Sequence, residues 1–254
     1  IKNVEVTQIK ELIEELKNKK IGIDLKHLPA NMLKLFNKSS IIDISDDLDK
    51  IRSIKTDYEI TQIKKACDIS KRLWRYTEKQ ISFSITEKEL QMIMEKKMFS
   101  FKTERAFRTI VASGKNSSFP HHVSEDVKIT FPIVIDFGVN VNGYCSDVTR
   151  TIESPYEKKL EKILQELYSF IKPEIKAMDA EKFVRDKLNK ESKYFIHSLG
   201  HGIGLEVHEN PTLSIKSNDI LEKNMIFTIE PGLYKKTGIR IENDFLLNDR
   251  LKNL

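Results

Sequence analysis

The chain has 254 residues, enough for one large or two modest domains, and its apolar and charged shares are those of a globular protein in water. It has no run of about 18 apolar residues, which excludes a helical membrane span, and its two cysteines, Cys67 and Cys145, give neither a disulfide framework nor a paired-thiolate zinc motif. The net charge of +5 comes from 43 basic residues against 38 acids, and runs such as Lys17-Asn18-Lys19-Lys20 lack interleaved aromatics, so we read them as solvated helix faces and expect no nucleic-acid partner. The first twenty residues are charged and amphipathic, unlike a secretory leader. With the cysteine usage, this points to a cytoplasmic setting without a membrane partner.

Near the start, Ile9, Leu12, Ile13 and Leu16 mark one apolar face of a helix over residues 7 to 20. Ile21-Gly22-Ile23 and Ile41-Ile42-Asp43-Ile44 read as short strands around a helix near 29 to 37. This strand–helix–strand piece is too short to be a comfortable domain, and we expect the main domain to run over 51 to 254. A long helix follows, with Asp57 as expected N-cap and apolar positions at Ile60, Ile63, Ala66, Cys67, Ser70, Leu73 and Trp74. A second helix opens at Thr86, with Glu89 completing a capping box. Residues 106 to 112 and 129 to 151 favour strands, and 156 to 171 and 179 to 191 favour helices. The last third holds short strands and turns, so the order hints at a duplicated αβ unit.

In IVIDFGVNVNGYCSDVTRT, residues 133 to 151, Asn142-Gly143 is a strong hairpin signal. That turn pairs Asp136 with Thr149 and leaves Asp147 two residues away, on a face shared with Cys145, Thr149 and Thr151 and kept open by Gly138. Diagonal neighbours on one face have Cβ atoms roughly 7 to 8 Å apart. Two ionised carboxylates so close are either exposed to water or held by a cation, because burying them unpaired costs several kcal/mol. Residues 196 to 211, IHSLGHGIGLEVHENP, set His197, His201 and His208 among glycines that permit close backbone approach. In MIFTIEPGLY an apolar strand ends at Glu230, and in GIRIEND the residues Arg240 and Glu242 share a face. If these strands form a hairpin, Glu230 and Glu242 stand opposite. Four strand-borne acids with a histidine-rich turn suit two divalent ions about 3.5 to 4 Å apart.

Taken together, DFGVNVNGYCSDVTRT, HSLGHGIGLEVHENP, FTIEPGLY, GIRIEND and SGKNSSFPHH (113 to 122) resemble the motifs of the pita-bread metallopeptidases, in their proline-directed branch of prolidases and Xaa-Pro aminopeptidases. The resemblance spans roughly residues 50 to 250. It implies an α+β fold, a curved and mostly antiparallel sheet with flanking helices and pseudo-two-fold duplication. Residues 1 to 50 resemble only the final portion of a creatinase-like N-terminal domain. The implied metal ligands are Asp136, Asp147, His201, Glu230 and Glu242, holding two divalent ions, manganese first, with cobalt, iron or zinc as alternatives. The implied catalytic residues are Glu230 as proton shuttle, His197 and His208 at the substrate, His121 near the leaving side of the scissile bond, and Arg240 supporting the bridging Glu242. His122 and His27 have no such match and read as structural or surface residues. Cys145 reads as a small filler. One departure is Asn243, where resembling proteins carry Asp after the ligand Glu; here Asp244 comes one place later. The implied activity is hydrolysis of the bond before proline in Xaa-Pro dipeptides or peptides, by a homodimer. The alternatives are a methionine aminopeptidase and a non-catalytic pita-bread binding module; metal-free creatine hydrolysis is disfavoured by the retained ligands.

Overall fold

The computed structural model describes residues 9–254, so the expected helix start at residue 7 lies outside the described residues. The chain divides into two compact units, which meet in sequence between Ile51 and Arg52. The first holds α1 (Ile9–Leu16), β1 (Lys20–Ile23), α2 (Ala30–Leu33) and β2 (Ser40–Asp43), and α3 (Ser45–Ser53) begins in it. β1 and β2 run parallel, with Ile21 opposite Ile41. A parallel pair needs a crossover, and the stretch containing α2 supplies it.

The second unit opens with α4 (Asp57–Thr77) and α5 (Glu87–Ser100). The cap of α4 is Thr56, not the expected Asp57. The Thr56 main-chain N–H donates to the Glu59 carboxylate at 2.8 Å and its hydroxyl accepts from the Glu59 N–H, a full capping box. Asp57 sits in the first turn, where the helix dipole favours it anyway. The box expected at Thr86 and Glu89 is present. Strands β3 (Glu104–Arg105), β4 (Ile110–Ser113), β5 (Ile133–Phe137), β6 (Val139–Val141), β7 (Tyr144–Cys145) and β8 (Val148–Ile152) follow. Next come α6 (Glu157–Phe170) and α7 (Ala177–Leu188), the latter starting and closing slightly before the expected 179 to 191. The last strands are β9 (Gly200–Gly202), β10 (Glu209–Leu213), β11 (Ile226–Ile229), β12 (Gly232–Tyr234), β13 (Gly238–Arg240), β14 (Asn243–Leu247) and β15 (Leu251–Asn253).

Each helix pair covers its own strands. Leu73, Leu90, Met94 and Met98 pack on Val111, Ile133, Ile135 and Phe137 in the first half. Leu160, Leu164, Leu167, Ala180 and Val184 pack on Phe227, Ile229, Leu233 and Phe245 in the second. A third apolar cluster joins Ile60 and Ile63 of α4 to Ile226 and Leu246 of the second half. Helices, strands, helices, strands, each set around its own core, is the repeated arrangement that the sequence order hinted at.

Two hairpins then determine where the acids stand. In the first, Asn142 and Gly143 adopt positive φ of 53° and 89°, as a tight turn between right-twisted strands requires. Register runs back from this turn through Asn140 opposite Cys145 to Asp136 opposite Thr149. The ladder is interrupted at Gly138 and Ser146. A Cβ on Gly138 would meet the Ser146 carbonyl oxygen at 2.0 Å, so this glycine is filled by close backbone approach, whereas the sequence reading had it keeping the face open. In the second hairpin, β11 pairs with β14 and β12 with β13 in one continuous register. It too is interrupted, at Glu230–Pro231 and Ile241–Glu242, and it sets Glu230 opposite Glu242.

Candidate metal centre

The two interruptions face each other. The Glu242 N–H donates to the Thr149 carbonyl at 3.2 Å. The Thr149 hydroxyl donates to Glu242 Oε2 at 2.6 Å, and the Thr151 hydroxyl donates to the Arg240 carbonyl at 2.7 Å. The alternation that runs from Asp147 into β8 and puts Asp147, Thr149 and Thr151 on one face therefore stitches the first hairpin to the second and gathers their acids. Cys145, expected on the same face, lies beyond the interruption and packs with Ile60, Ile63 and Cys67 as an apolar filler.

His201 arrives on β9. Gly200 before it lies so close to β11 that a Cβ would stand 2.0 Å from the Thr228 carbonyl oxygen, as expected for a glycine that allows close approach. The His201 Nδ1–H donates to the Gly202 carbonyl at 3.1 Å, which turns Nε2 toward the acids. Nε2 lies 3.6 Å from Asp147 Oδ2 and 3.6 Å from Glu230 Oε1. That is too long for a hydrogen bond. It fits donors that share one ion, since two ligands each about 2.0 to 2.2 Å from a cation stand roughly 3 to 3.6 Å apart. Among the described residues, Asp147, His201 and Glu242 offer ligand atoms all within 4.8 Å of one another. Glu230 joins them through His201. Asp136 joins through Arg240, whose Nη2 donates to Asp136 Oδ2 at 2.5 Å. Asp136 Oδ1 and Asp147 Oδ1 are buried without a hydrogen-bond partner.

Without a cation these buried carboxyls cannot all stay ionised. Burial first, then the charges of Glu242 and Asp136, pushes the Asp147 carboxyl well above the usual range. Burial, then Glu230 and Asp136, does the same to Glu242. Burial pushes Glu230 up to about 8, against the pull of Arg240. The histidines move the other way. Burial, followed by His208, lowers His201 to about 4, and burial with Arg240 lowers His197 to about 4. His201 is thus a neutral imidazole with a free lone pair, the form that binds metal. Orphaned carboxylate oxygens, neutral Nε2 and ligand-like spacing together fit divalent cations.

The other expected site residues gather here as well. His208 lies ring to ring with His201 at 4.2 Å. His197 sends Nδ1–H to the Ser198 carbonyl at 2.8 Å, so its Nε2 accepts from the Tyr234 hydroxyl at 2.9 Å. His121 is exposed and lies near enough to act electrostatically on His197 and His208. Arg240 was expected to support Glu242. Its close carboxylate partner is Asp136, and Glu242 lies 3.9 Å from Nε, bridged by Thr149, whose hydroxyl accepts from Nε at 2.9 Å. Of the two histidines without a match, His27 pairs with Asp24 at 2.8 Å and His122 contacts buried Glu87 at 2.7 Å.

Sequence reading did not find Tyr234 and Asp244. The Tyr234 hydroxyl also accepts from Arg240 Nη1 at 3.0 Å, linking Asp136, Arg240, Tyr234 and His197 into one chain of hydrogen bonds. Its signal was the PGLY that ends the motif, where a large aromatic follows a turn. Asp244 Oδ2 accepts from the Asp147 N–H at 3.0 Å and from the Cys67 thiol at 3.3 Å, and burial pushes its carboxyl up to about 7. Asn243, in the place where resembling proteins carry Asp, accepts from Arg150 Nη2 at 2.8 Å.

The sequence profile of metallopeptidase family M24 matches residues 61–249. An uncharacterized peptidase of Methanocaldococcus jannaschii is 40% identical over 240 residues, covering 87% of this chain and 68% of that protein. A Xaa-Pro dipeptidase of Pyrococcus furiosus is 35% identical over 271 residues, 97% of this chain and 76% of its own. Among solved structures, the prolidase from Pyrococcus furiosus superposes with a TM-score of 0.87 at 37% identity, over 98% of this chain and 80% of that one. The X-Pro aminopeptidase from Thermotoga maritima superposes with 0.86 at 33% identity, over 96% and 75%. The α+β architecture is therefore the pita-bread fold, the residues gathered on its two hairpins fit divalent metal ions, and the chain belongs to metallopeptidase family M24.

Proposed function

We propose that this chain is a proline-directed metallopeptidase, cleaving the bond between an N-terminal residue and proline in dipeptides or short peptides. Relatives named Xaa-Pro dipeptidase and X-Pro aminopeptidase support the substrate class. The observation that carries the chemistry is His201 Nε2, equidistant at 3.6 Å from Asp147 and Glu230 and beyond hydrogen-bond reach of either. In this reading Asp136, Asp147, His201, Glu230 and Glu242 hold two divalent ions, with manganese favoured by the oxygen-rich donor set. When bound, the ions supply Lewis acidity and bring the ionisation of water toward neutral pH.

The remaining work belongs to the side chains. Glu230 lies at the rim of the cluster with 15% of its side chain exposed, a position from which its carboxylate takes a proton from water and returns it to the leaving nitrogen. That nitrogen is a proline tertiary amide, which must be protonated before it departs. His208 and His121 line the approach and donate to the substrate's developing charge. His197, with both nitrogens engaged, holds Tyr234 and forms part of the wall. Arg240 keeps Asp136 ionised and oriented. Residues 51–254 form the catalytic domain and residues 1–50 an accessory piece of creatinase type. The same reading carries a homodimer in the cytoplasm, and light scattering checks the oligomeric state.

The test is a manganese-supplemented assay of Ala-Pro, Ala-Pro-Ala and a Met-Ala peptide. Turnover of the proline substrates alone supports the proposal. Preference for Met-Ala makes the chain a methionine aminopeptidase. Stoichiometric metal binding without turnover of any peptide makes it a binding module.

A further inference from the structure

One buried acid of the first half takes no part in the metal cluster. Glu87 is the first residue of α5 and is 0% exposed. Its carboxylate accepts from the Ser113 N–H at 2.7 Å, the Ser113 hydroxyl at 2.9 Å, the Asn116 amide at 3.2 Å and the Glu125 N–H at 3.1 Å. It also meets His122 Nε2 at 2.7 Å. All these partners come from residues 113–125, the segment that carries His121. The other flank of this segment is tied to β13, where Arg240 Nη1 donates to the Pro120 carbonyl at 3.2 Å and the Gly238 N–H to the Ser117 hydroxyl at 2.8 Å.

His121 itself is exposed and its imidazole makes no hydrogen bond within the described residues, so only the backbone around it determines where it stands. A buried carboxylate is tolerable only when its oxygens are satisfied. Five donors converge on Glu87 in one arrangement of the segment, and the N-terminus of α5 favours the negative charge there. The acceptor-only carboxylate is essential to that arrangement, because an amide would turn an N–H₂ group toward other donors.

We propose that Glu87, with His122 as its partner, is a positioning residue that holds His121 against the metal cluster. This rests on the proposed function, in which His121 donates to the substrate's developing charge.

The test is a double-mutant cycle on Ala-Pro with manganese, using the wild type, Glu87→Gln, His121→Ala and the double variant. We expect Glu87→Gln to lower kcat about tenfold to a hundredfold, with KM within about twofold and the bound metal unchanged. Adding it to His121→Ala should cost no more than about a further twofold, because both act through one group. His122 gives an independent route should Glu87→Gln fold poorly. His122→Gln, whose amide reaches the position of Nε2, should retain most of kcat, and His122→Leu should lose it. Losses that multiply in the double variant, or wild-type kcat in His122→Leu, would overturn the proposal. A silent His121→Ala in an otherwise active enzyme would remove the role of His121 and this proposal with it. A metal-loaded wild type that cleaves no Xaa-Pro bond strikes at the proposed function itself.

Discussion

Remove the divalent ions with a chelator, and the second unit should lose stability as pH rises. The folded metal-free cluster binds protons more tightly than the unfolded chain does, because burial and mutual repulsion lift Asp147 and Glu242 well above the usual range and Glu230 to about 8 from its ordinary 4.5. A raised folded pKa gives stability that is complete below the unfolded value and is lost as pH climbs through the folded one. The window for Glu230 therefore runs from about 4.5 to about 8. Each step of one in pKa corresponds to about 1.4 kcal/mol, so Glu230 alone would lose on the order of 5 kcal/mol. Its side chain keeps 15% exposure, and screening reduces this to about 3 kcal/mol. His201 and His197, lowered to about 4 from 6.5, add stability as pH rises to 6.5 and offset part of this loss. The fall is therefore read above that pH, where about 1.3 kcal/mol of the Glu230 loss remains. At roughly 2 to 4 °C per kcal/mol for a chain of this size, Tm should fall by about 3 to 5 °C between about pH 6.5 and 8.5. Differential scanning calorimetry in chelator, beside the manganese-loaded protein and a chelated Glu230→Gln variant, measures it. The loaded protein should show a flat or rising Tm, and the variant a shallower fall than the chelated wild type. A chelated Tm that stays level over this range would mean that the carboxylates ionise freely without a cation, and the argument for an ion-holding cluster would fail.

Asp147→Asn and Glu242→Gln should abolish turnover and reduce bound metal, while chelated Tm holds or rises because a repelling charge is gone; metal analysis beside calorimetry checks both. Arg240→Lys keeps the charge but loses the fork that reaches Asp136, Thr149, Tyr234 and Pro120 at once; kcat should drop about tenfold to a hundredfold, with steady-state kinetics as the readout. Lys55→Met breaks the ion pair of Lys55 with Glu209, whose side chains are 1% and 4% exposed. Arg52 retains part of the compensation at 2.6 Å, so the loss in urea unfolding should be about 2 to 3 kcal/mol, below the 3 to 5 of a fully broken buried pair. Burial works to raise the Glu209 carboxyl, but Lys55 and Arg52 outweigh it and hold it below its ordinary value. The stability contributed by this pair is therefore present above the ordinary carboxylate range and lost as pH falls through the lowered pKa. Acid unfolding of Lys55→Met should accordingly start at higher pH than that of the wild type.

The legible part of the site was what register controls. A strand alternates with period two, and a turn with positive φ at two residues sets the pairing of everything before it. Once Asn142-Gly143 was read as a turn, Asp136 opposite Thr149 followed by counting. Glu230 opposite Glu242 likewise needed only that the two strands pair around the Gly238 segment. Local rules reached these placements because the partners are joined by a short connection. They failed where packing in three dimensions, not strand register, chooses the partner. The choice between Asp57 and Thr56 as cap was misjudged because both residues can accept from the first turn, and Glu59 reaching back decides it. Gly138 looked like an open position because nothing nearby in sequence announces that the Ser146 carbonyl occupies its Cβ site. Arg240 does pair with Glu242, two residues away, but nothing local announces that its guanidinium also spans to Asp136 on the other hairpin. The same limit hid Glu87. In the sequence it is one acid in the first turn of an amphipathic helix, where acids are common. Only folding, which brings Ser113, Asn116, His122 and Glu125 around it, turns that ordinary helix start into the anchor of the segment that carries His121.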